Sequence, residues 1–265
     1  MTVSQSALAG LILSALISLL APFVVYFVCR KRMVLPLRNI AIGAVVFMLF
    51  AGVLEALMHY YFLKLNPLTA AWLGSHPWGY AVYGAGAAAL YEETGRYLAM
   101  RFFVKPAGDP GTAVSYGIGH GGTESILIGA MGQINGIVMA VMLNLGRLDA
   151  MLAHKVPAAA IAKLHQTLAH LDFGTALVGG IERVSALLIQ IALSLLVWRA
   201  VSKKQIGWYF LALLMHFAVD APAAATQKGI IPPFATEGFV WVIGAVLLGV
   251  FLIKLPPRED ALPKP

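Results

Sequence analysis

Apolar runs long enough to cross a membrane recur along this chain, separated by short polar connections. Seven can be recognised, at roughly residues 6–29, 39–63, 77–103, 112–145, 174–200, 206–226 and 235–254. A helix needs about 20 predominantly apolar residues to span a bilayer. The pattern therefore predicts an all-α, polytopic transmembrane helical bundle of about seven spans, with six to eight as the range. The fourth run is too long for one straight span. Its glycines, Gly117, Gly119, Gly121, Gly122, Gly129, Gly132 and Gly136, predict bends or a helix with an emergent end. The first run lacks a basic leader, which predicts a retained span and not a cleaved signal peptide. One transmembrane domain is expected over residues 1–255, followed by a Pro-rich, disordered cytoplasmic tail at 256–265.

Composition agrees with the pattern. Of 265 residues, 60% are hydrophobic and only 12% charged, and the mean hydropathy is +0.81. These values place the chain in a cell membrane as a multi-pass protein. The single Cys29 rules out an internal disulfide and any cysteine-based metal site. The net charge of +7 would suit nucleic acid, but its distribution argues for orientation and lipid-surface contact instead. Eleven Lys and Arg lie on alternate connections: Arg30, Lys31, Arg32, Arg101, Lys105, Arg199, Lys203, Lys204, Lys254, Arg258 and Lys264; Arg38 makes twelve. The other side has five: Lys64, Arg147, Lys155, Lys163 and Lys228. By the positive-inside rule the N-terminus is outside and the C-terminus cytoplasmic.

Against this background, six ionisable side chains stand out within the apolar runs: Glu92 and Glu93, His120 and Glu124, His216 and Asp220. Each His precedes a carboxylate by four residues, which puts both on one helix face. An ionisable group at membrane depth costs about 3 kcal/mol on insertion scales and marks a functional site by default. With a rise of 1.5 Å per residue, Glu92 and Glu93 lie about 12–14 Å from the cytoplasmic end of their span, His120 about 12 Å and His216 about 15 Å. The two His and the Glu pair thus form an inner layer reachable from the cytoplasm, with Glu124 and Asp220 one turn deeper. An outer set, Glu55 with His59 and Glu182 with Arg183, suits helix-to-helix pairing near the opposite interface.

Imidazoles and carboxylates in this number suit a catalytic zinc site, with three protein ligands and an open position for water. The metal lowers the pKa of that water to about 7, and a further carboxylate serves as general base. Arg96 lies three and four residues after the Glu pair, on their side of the helix, and can keep one carboxylate ionised and oriented. A metal-free version is equally compatible: a Glu–His pair activates water while His216 and Asp220 stabilise the oxyanion. Gly119, Gly121 and Gly122 leave a helix face without side-chain bulk. It admits either a neighbouring helix or an extended substrate backbone.

Three motifs on separate spans carry a family resemblance: Glu92-Glu93-Thr94-Gly95-Arg96, Tyr116-x-x-x-His120 and His216-x-x-x-Asp220. In type and order they resemble the CAAX-prenyl-protease and bacteriocin-processing group of intramembrane proteases, and most closely the YhfC-type intramembrane metalloproteases. The resemblance covers roughly residues 85–225. The Glu-Glu to Arg spacing is one residue shorter than in the CAAX-protease pattern, Tyr116 stands where Phe is usual, and Glu124 is an additional carboxylate. The resemblance implies an endopeptidase of peptide or membrane-protein substrates, with Glu92, Glu93, Arg96, His120, His216 and Asp220 catalytic. By the resemblance, a Glu of the pair and His120 activate water, and His216 with Asp220 binds metal or the oxyanion. The candidate zinc ligands along the chain are His120, His216, Glu93 and Glu124. A second reading makes the same cluster the proton relay of a carrier, although no inverted repeat is visible. A third makes His120 and His216 haem ligands, which leaves the Glu pair without a purpose.

Overall fold

The computed structural model describes residues 2–104 and 109–254, the side chains of 251–254 excepted. The expected tail at 256–265, with Lys105, Arg258 and Lys264, lies outside the described residues. Among the described residues the secondary structure is entirely helical. In order these are α1 (Gln5–Cys29), α2 (Leu37–Leu65), α3 (Pro67–Ser75), α4 (Pro77–Ala99), α5 (Gly111–Asn144), α6 (Leu148–Leu152), α7 (Ala158–Ala169), α8 (Phe173–Ser202), α9 (Gly207–Gln227) and α10 (Pro233–Lys254). The short helices α3, α6 and α7 occupy stretches that the apolar pattern leaves as connections.

Among the described residues, six helices are long and apolar enough to cross a membrane: α1, α2, α5, α8, α9 and α10. The protein is therefore a multi-pass integral membrane protein. The remaining expected segment is also helical. Its 23 residues in α4 extend about 34 Å, but Glu92, Glu93 and Arg96 keep it outside that apolar set. The overlong fourth run is a 34-residue helix interrupted by a π-helical turn at Ser125–Ala130. Such turns relieve a helix that must shift its register. Two further π-helical turns, Phe50–Glu55 and Tyr61–Leu65, lie within α2, and another, Met100–Val104, continues from α4.

Helix starts follow local chemistry. Pro67, Pro77 and Pro233 occupy first-turn positions, where a missing N–H is not needed. The Asn66 side chain accepts from the amides of Leu68 and Thr69. At the start of α8, Asp172 accepts from the hydroxyl and amide of Thr175, at 2.6 and 2.7 Å. These bonds hold its carboxyl below the usual range.

The chain forms two compact units. One contains the residues up to Ala21 and Ser125–Val184; Val3, Ala7, Leu11, Ala140, Leu143 and Leu148 are in its core. The other contains Pro22–Glu124 and the described residues from Ser185 onward, and every expected inner-site residue belongs to it. In this second unit α4 packs along α9, and the start of α2 packs along the first half of α5. Small residues permit both approaches. A Cβ added at Gly119 would overlap the carbonyl oxygen of Ile40, and one added at Gly43 would overlap that of Tyr116. Gly121 lies against Gln190 of α8, and Gly122 against Pro22 of α1. The glycines around His120 therefore serve helix packing.

Backbone atoms cannot swing aside as a flexible side chain can. Gly119→Ala should lower stability by about 1–3 kcal/mol through overpacking. Gly132→Ala, with nothing within reach of the new Cβ, should be neutral or stabilising by up to about 1 kcal/mol through helix propensity. Thermal unfolding in detergent distinguishes them; equal midpoints would refute the close approach of α2 and α5.

Candidate functional site

Adjacent residues on a helix point about 100° apart, and Glu92 and Glu93 make their closest contacts with different histidines. Glu92 Oε2 lies 2.8 Å from His120 Nε2 on α5. Glu93 Oε1 lies 2.8 Å from His216 Nδ1 on α9. The second imidazole edge, His216 Nε2, is 3.4 Å from Asp220 Oδ2 and 4.0 Å from Glu92 Oε2. Both Nε2 atoms thus face one carboxylate oxygen. α9 continues as a helix through Pro222 to Gln227, so Asp220 extends the His216 face by one turn instead of capping a helix end.

Arg96 anchors the opposite side of the cluster. Its Nε is 3.1 Å from Glu93 Oε2. Its Nη1 donates to the Gln190 carbonyl at 2.8 Å and to Ser194 Oγ at 2.5 Å, and its Nη2 donates to the Gln190 side-chain oxygen. Gln190 Nε2 then donates to Glu92 Oε2 at 3.2 Å and to Glu124 Oε2 at 2.9 Å. The guanidinium also lies 5.9 Å from the Tyr116 ring centroid. Phe47 meets the His120 ring edge to face at 5.2 Å. The two carboxylates of the Glu pair therefore have different settings: Glu93 is committed to a cation and an imidazole, and Glu92 is shared among polar groups.

Gln190 and Ser194 also belong to this site, although neither is ionisable. Their signal was a Gln and a Ser four residues apart in the otherwise apolar run Ser185–Trp198, a spacing that puts both on one face of α8. The residues of the outer set form pairs of their own. Glu55 and His59 pair at 3.1 Å, and His59 Nδ1 contacts the Tyr83 hydroxyl at 2.8 Å. Glu182 and Arg183, neighbours on α8, contact each other.

Burial is uneven across the cluster. Glu93, Arg96 and His120 have no exposure, while the Asp220 side chain keeps 36%. On the Arg96 side, Ala99, Met100, Ala113, Tyr116, Val197 and Ala212 close the core with at most 2% exposure each. That side leads to the basic connections. The exposed edge, at Asp220, points along α9 away from them.

Among the described residues, no three His, Cys, Asp or Glu side chains are grouped so as to hold a metal ion. The donor types and their support nevertheless suit a divalent metal. Ligating histidines commonly engage one ring nitrogen with a carboxylate and offer the other to the metal. His216 has that arrangement, with Nδ1 on Glu93 and Nε2 turned toward Glu92 and Asp220. His120 presents Nε2 to the same carboxylate, while its buried Nδ1 has no hydrogen-bond partner.

Comparison with known proteins identifies the family of the chain. The family described as YhfC intramembrane metalloprotease matches residues 17–240, a range that holds all of these side chains. A protein of Bacillus subtilis (strain 168), described as uncharacterized membrane protein YhfC, is 35% identical over 252 residues, covering 95% of this chain and 97% of that one. No solved structure matches. The family match extends well beyond the three motifs, nearly from end to end of the described helices, and the chain belongs to the YhfC intramembrane metalloprotease family.

Proposed function

We propose that this protein is an intramembrane endopeptidase that hydrolyses peptide bonds at the cluster of Glu92, Glu93, His120 and His216. One observation carries the reading: the Nε2 edges of two histidines, from different helices, face a single oxygen of Glu92. The family's metalloprotease description supports the same chemistry.

Glu92 is the general base in this reading. Its Oε2 takes a proton from the attacking water and returns it to the leaving amine. Gln190 steadies that oxygen through its side-chain amide. Glu93 does not touch the reacting atoms; bound to Arg96 and to His216 Nδ1, it sets the orientation of the His216 ring. His216, Asp220 and His120 would hold a divalent metal, zinc by donor type. When bound, the metal supplies a Lewis acid and a water whose pKa falls to about 7. Glu124 is engaged with Gln190 and supports the amide that steadies Glu92. In this reading Asp220 joins His120 and His216 as a ligand, and Glu93 and Glu124 act as supports.

Water and substrate reach the cluster along the Asp220 edge. A carboxylate with a third of its surface open cannot rest against hydrocarbon without a large desolvation cost, so that edge faces a hydrated or substrate-filled cleft. With seven spans and the positive-inside orientation, the cluster lies in the cytoplasmic half of the membrane and its opening points toward the bilayer centre.

Glu92→Gln keeps size and hydrogen bonding but removes the base, so cleavage should fall by about 10²–10⁴-fold with the unfolding midpoint nearly unchanged. Mass spectrometry of membrane-segment peptides incubated with the purified protein measures this; full activity in Glu92→Gln would eliminate Glu92 as the base.

Purified protein should carry about one zinc per chain, the stoichiometry of a mononuclear catalytic site, and lose it in His120→Ala and His216→Ala. Elemental analysis reads the result directly. Zinc retained in both variants would exclude these histidines as ligands.

A further inference from the structure

Just past the end of α8 a lysine, Lys204, stands where glycine is usual. Gln205 N donates to the Ala200 carbonyl at 3.0 Å and Lys204 N to the Val201 carbonyl at 3.4 Å. This is the paired closure of a helix C-terminus, in which the residue just past the helix adopts a left-handed backbone. Lys204 does so, with φ of 53°. Besides glycines, only His154 shares that backbone region among the described residues. A side chain tolerated at a strained position invites a search for what it does there.

Lys204 lines a cleft of about 430 Å³ together with Tyr97, Arg101, Ala200, Val201 and Ile206. No carboxylate is among these residues. The Arg101 guanidinium is steadied through one nitrogen, which donates to the Tyr97 hydroxyl at 3.1 Å, and its remaining donors can face a ligand. One wall is cationic and hydroxylic, and the other, formed by Ala200, Val201 and Ile206, is apolar. The cleft sits at the connection between α8 and α9, both of membrane-spanning length and composition. The end of a membrane-length helix is where a bilayer presents its headgroups.

We propose that this cleft binds the phosphate headgroup of an anionic phospholipid. Arg101 offers a planar donor fork to the phosphate oxygens, and Lys204 adds a point charge. The apolar wall takes the glycerol and the first acyl carbons. Basic pockets between helix ends at a membrane surface recognise anionic lipids on these grounds. General orientation by the positive-inside rule needs only charge somewhere on the connection, not a cleft or a lysine in a left-handed turn. The paired wall also distinguishes a lipid phosphate from a free one, which has no use for the apolar side.

The test uses the full-length protein in neutral detergent, titrated with phosphatidylglycerol, phosphatidylcholine or inorganic phosphate, with thermal unfolding and native mass spectrometry as readouts. Phosphatidylglycerol should raise the midpoint saturably and remain bound; phosphatidylcholine should not. Arg101→Gln and Lys204→Gly should each weaken phosphatidylglycerol binding by about fivefold, and by about thirtyfold together, for charges at a lipid surface. Glycine suits the left-handed position, so Lys204→Gly should keep the lipid-free midpoint and separate lost binding from lost folding. Lys203→Gln, outside the cleft, should bind normally. Equal weakening in Lys203→Gln, equal binding of phosphatidylcholine, or saturation by inorganic phosphate with no further effect of the lipid would each overturn the proposal.

Discussion

A guanidinium with no exposure, inside a bundle of membrane-length helices, sets the terms for the rest of the structure. A guanidinium buried without partners would cost several kcal/mol. All three nitrogens of Arg96 therefore have partners: Glu93 on its own helix, and Gln190 and Ser194 on α8. Those partners recruit others. Glu93 reaches His216 on α9, and Gln190 reaches Glu92, which in turn meets His120 on α5. One charge, once buried, thus specifies how four helices must meet.

Close packing is what makes such a network possible. Hydrogen bonds of 2.5–3.2 Å between side chains on different helices need backbones that approach nearly to contact, and Gly43, Gly119 and Gly121 allow this beside His120. In a bilayer, apolar side chains gain little by leaving lipid for a neighbouring helix, so small residues and polar contacts carry association. The site and the glycines that surround it are one structural solution. Arg96 and Glu93 hold the helices together, and Glu92, His120 and the outer edge of His216 are left facing a common point.

The division of labour between the two glutamates follows from the same geometry. Neighbours in sequence, they differ because a helix turns by 100° per residue and so sends each toward a different partner. Glu93 ends in a closed, fully buried set. Glu92 ends beside both imidazoles, near the exposed edge at Asp220. The apolar layer on the Arg96 side then confines access to that edge.

The sequence by itself determined the helical, membrane-embedded class, because apolar length is a local property of the chain. It also marked Glu92, Glu93, Arg96, His120, His216 and Asp220, since ionisable groups in apolar runs are visible without knowing any contact, and a fixed helical rise puts three of the motifs at matching depth. Gln190 and Ser194 escaped notice because neutral polar residues are ordinary in a span until a buried charge is found bonded to them. The sequence left open whether the glycines served a substrate or a helix, since an absent side chain looks the same in either role. Which glutamate meets which histidine, and on which side the cluster is closed, was decided only in the tertiary structure. Those outcomes depend on helix rotation and on neighbours remote in the chain, and neither is written in any local stretch of residues.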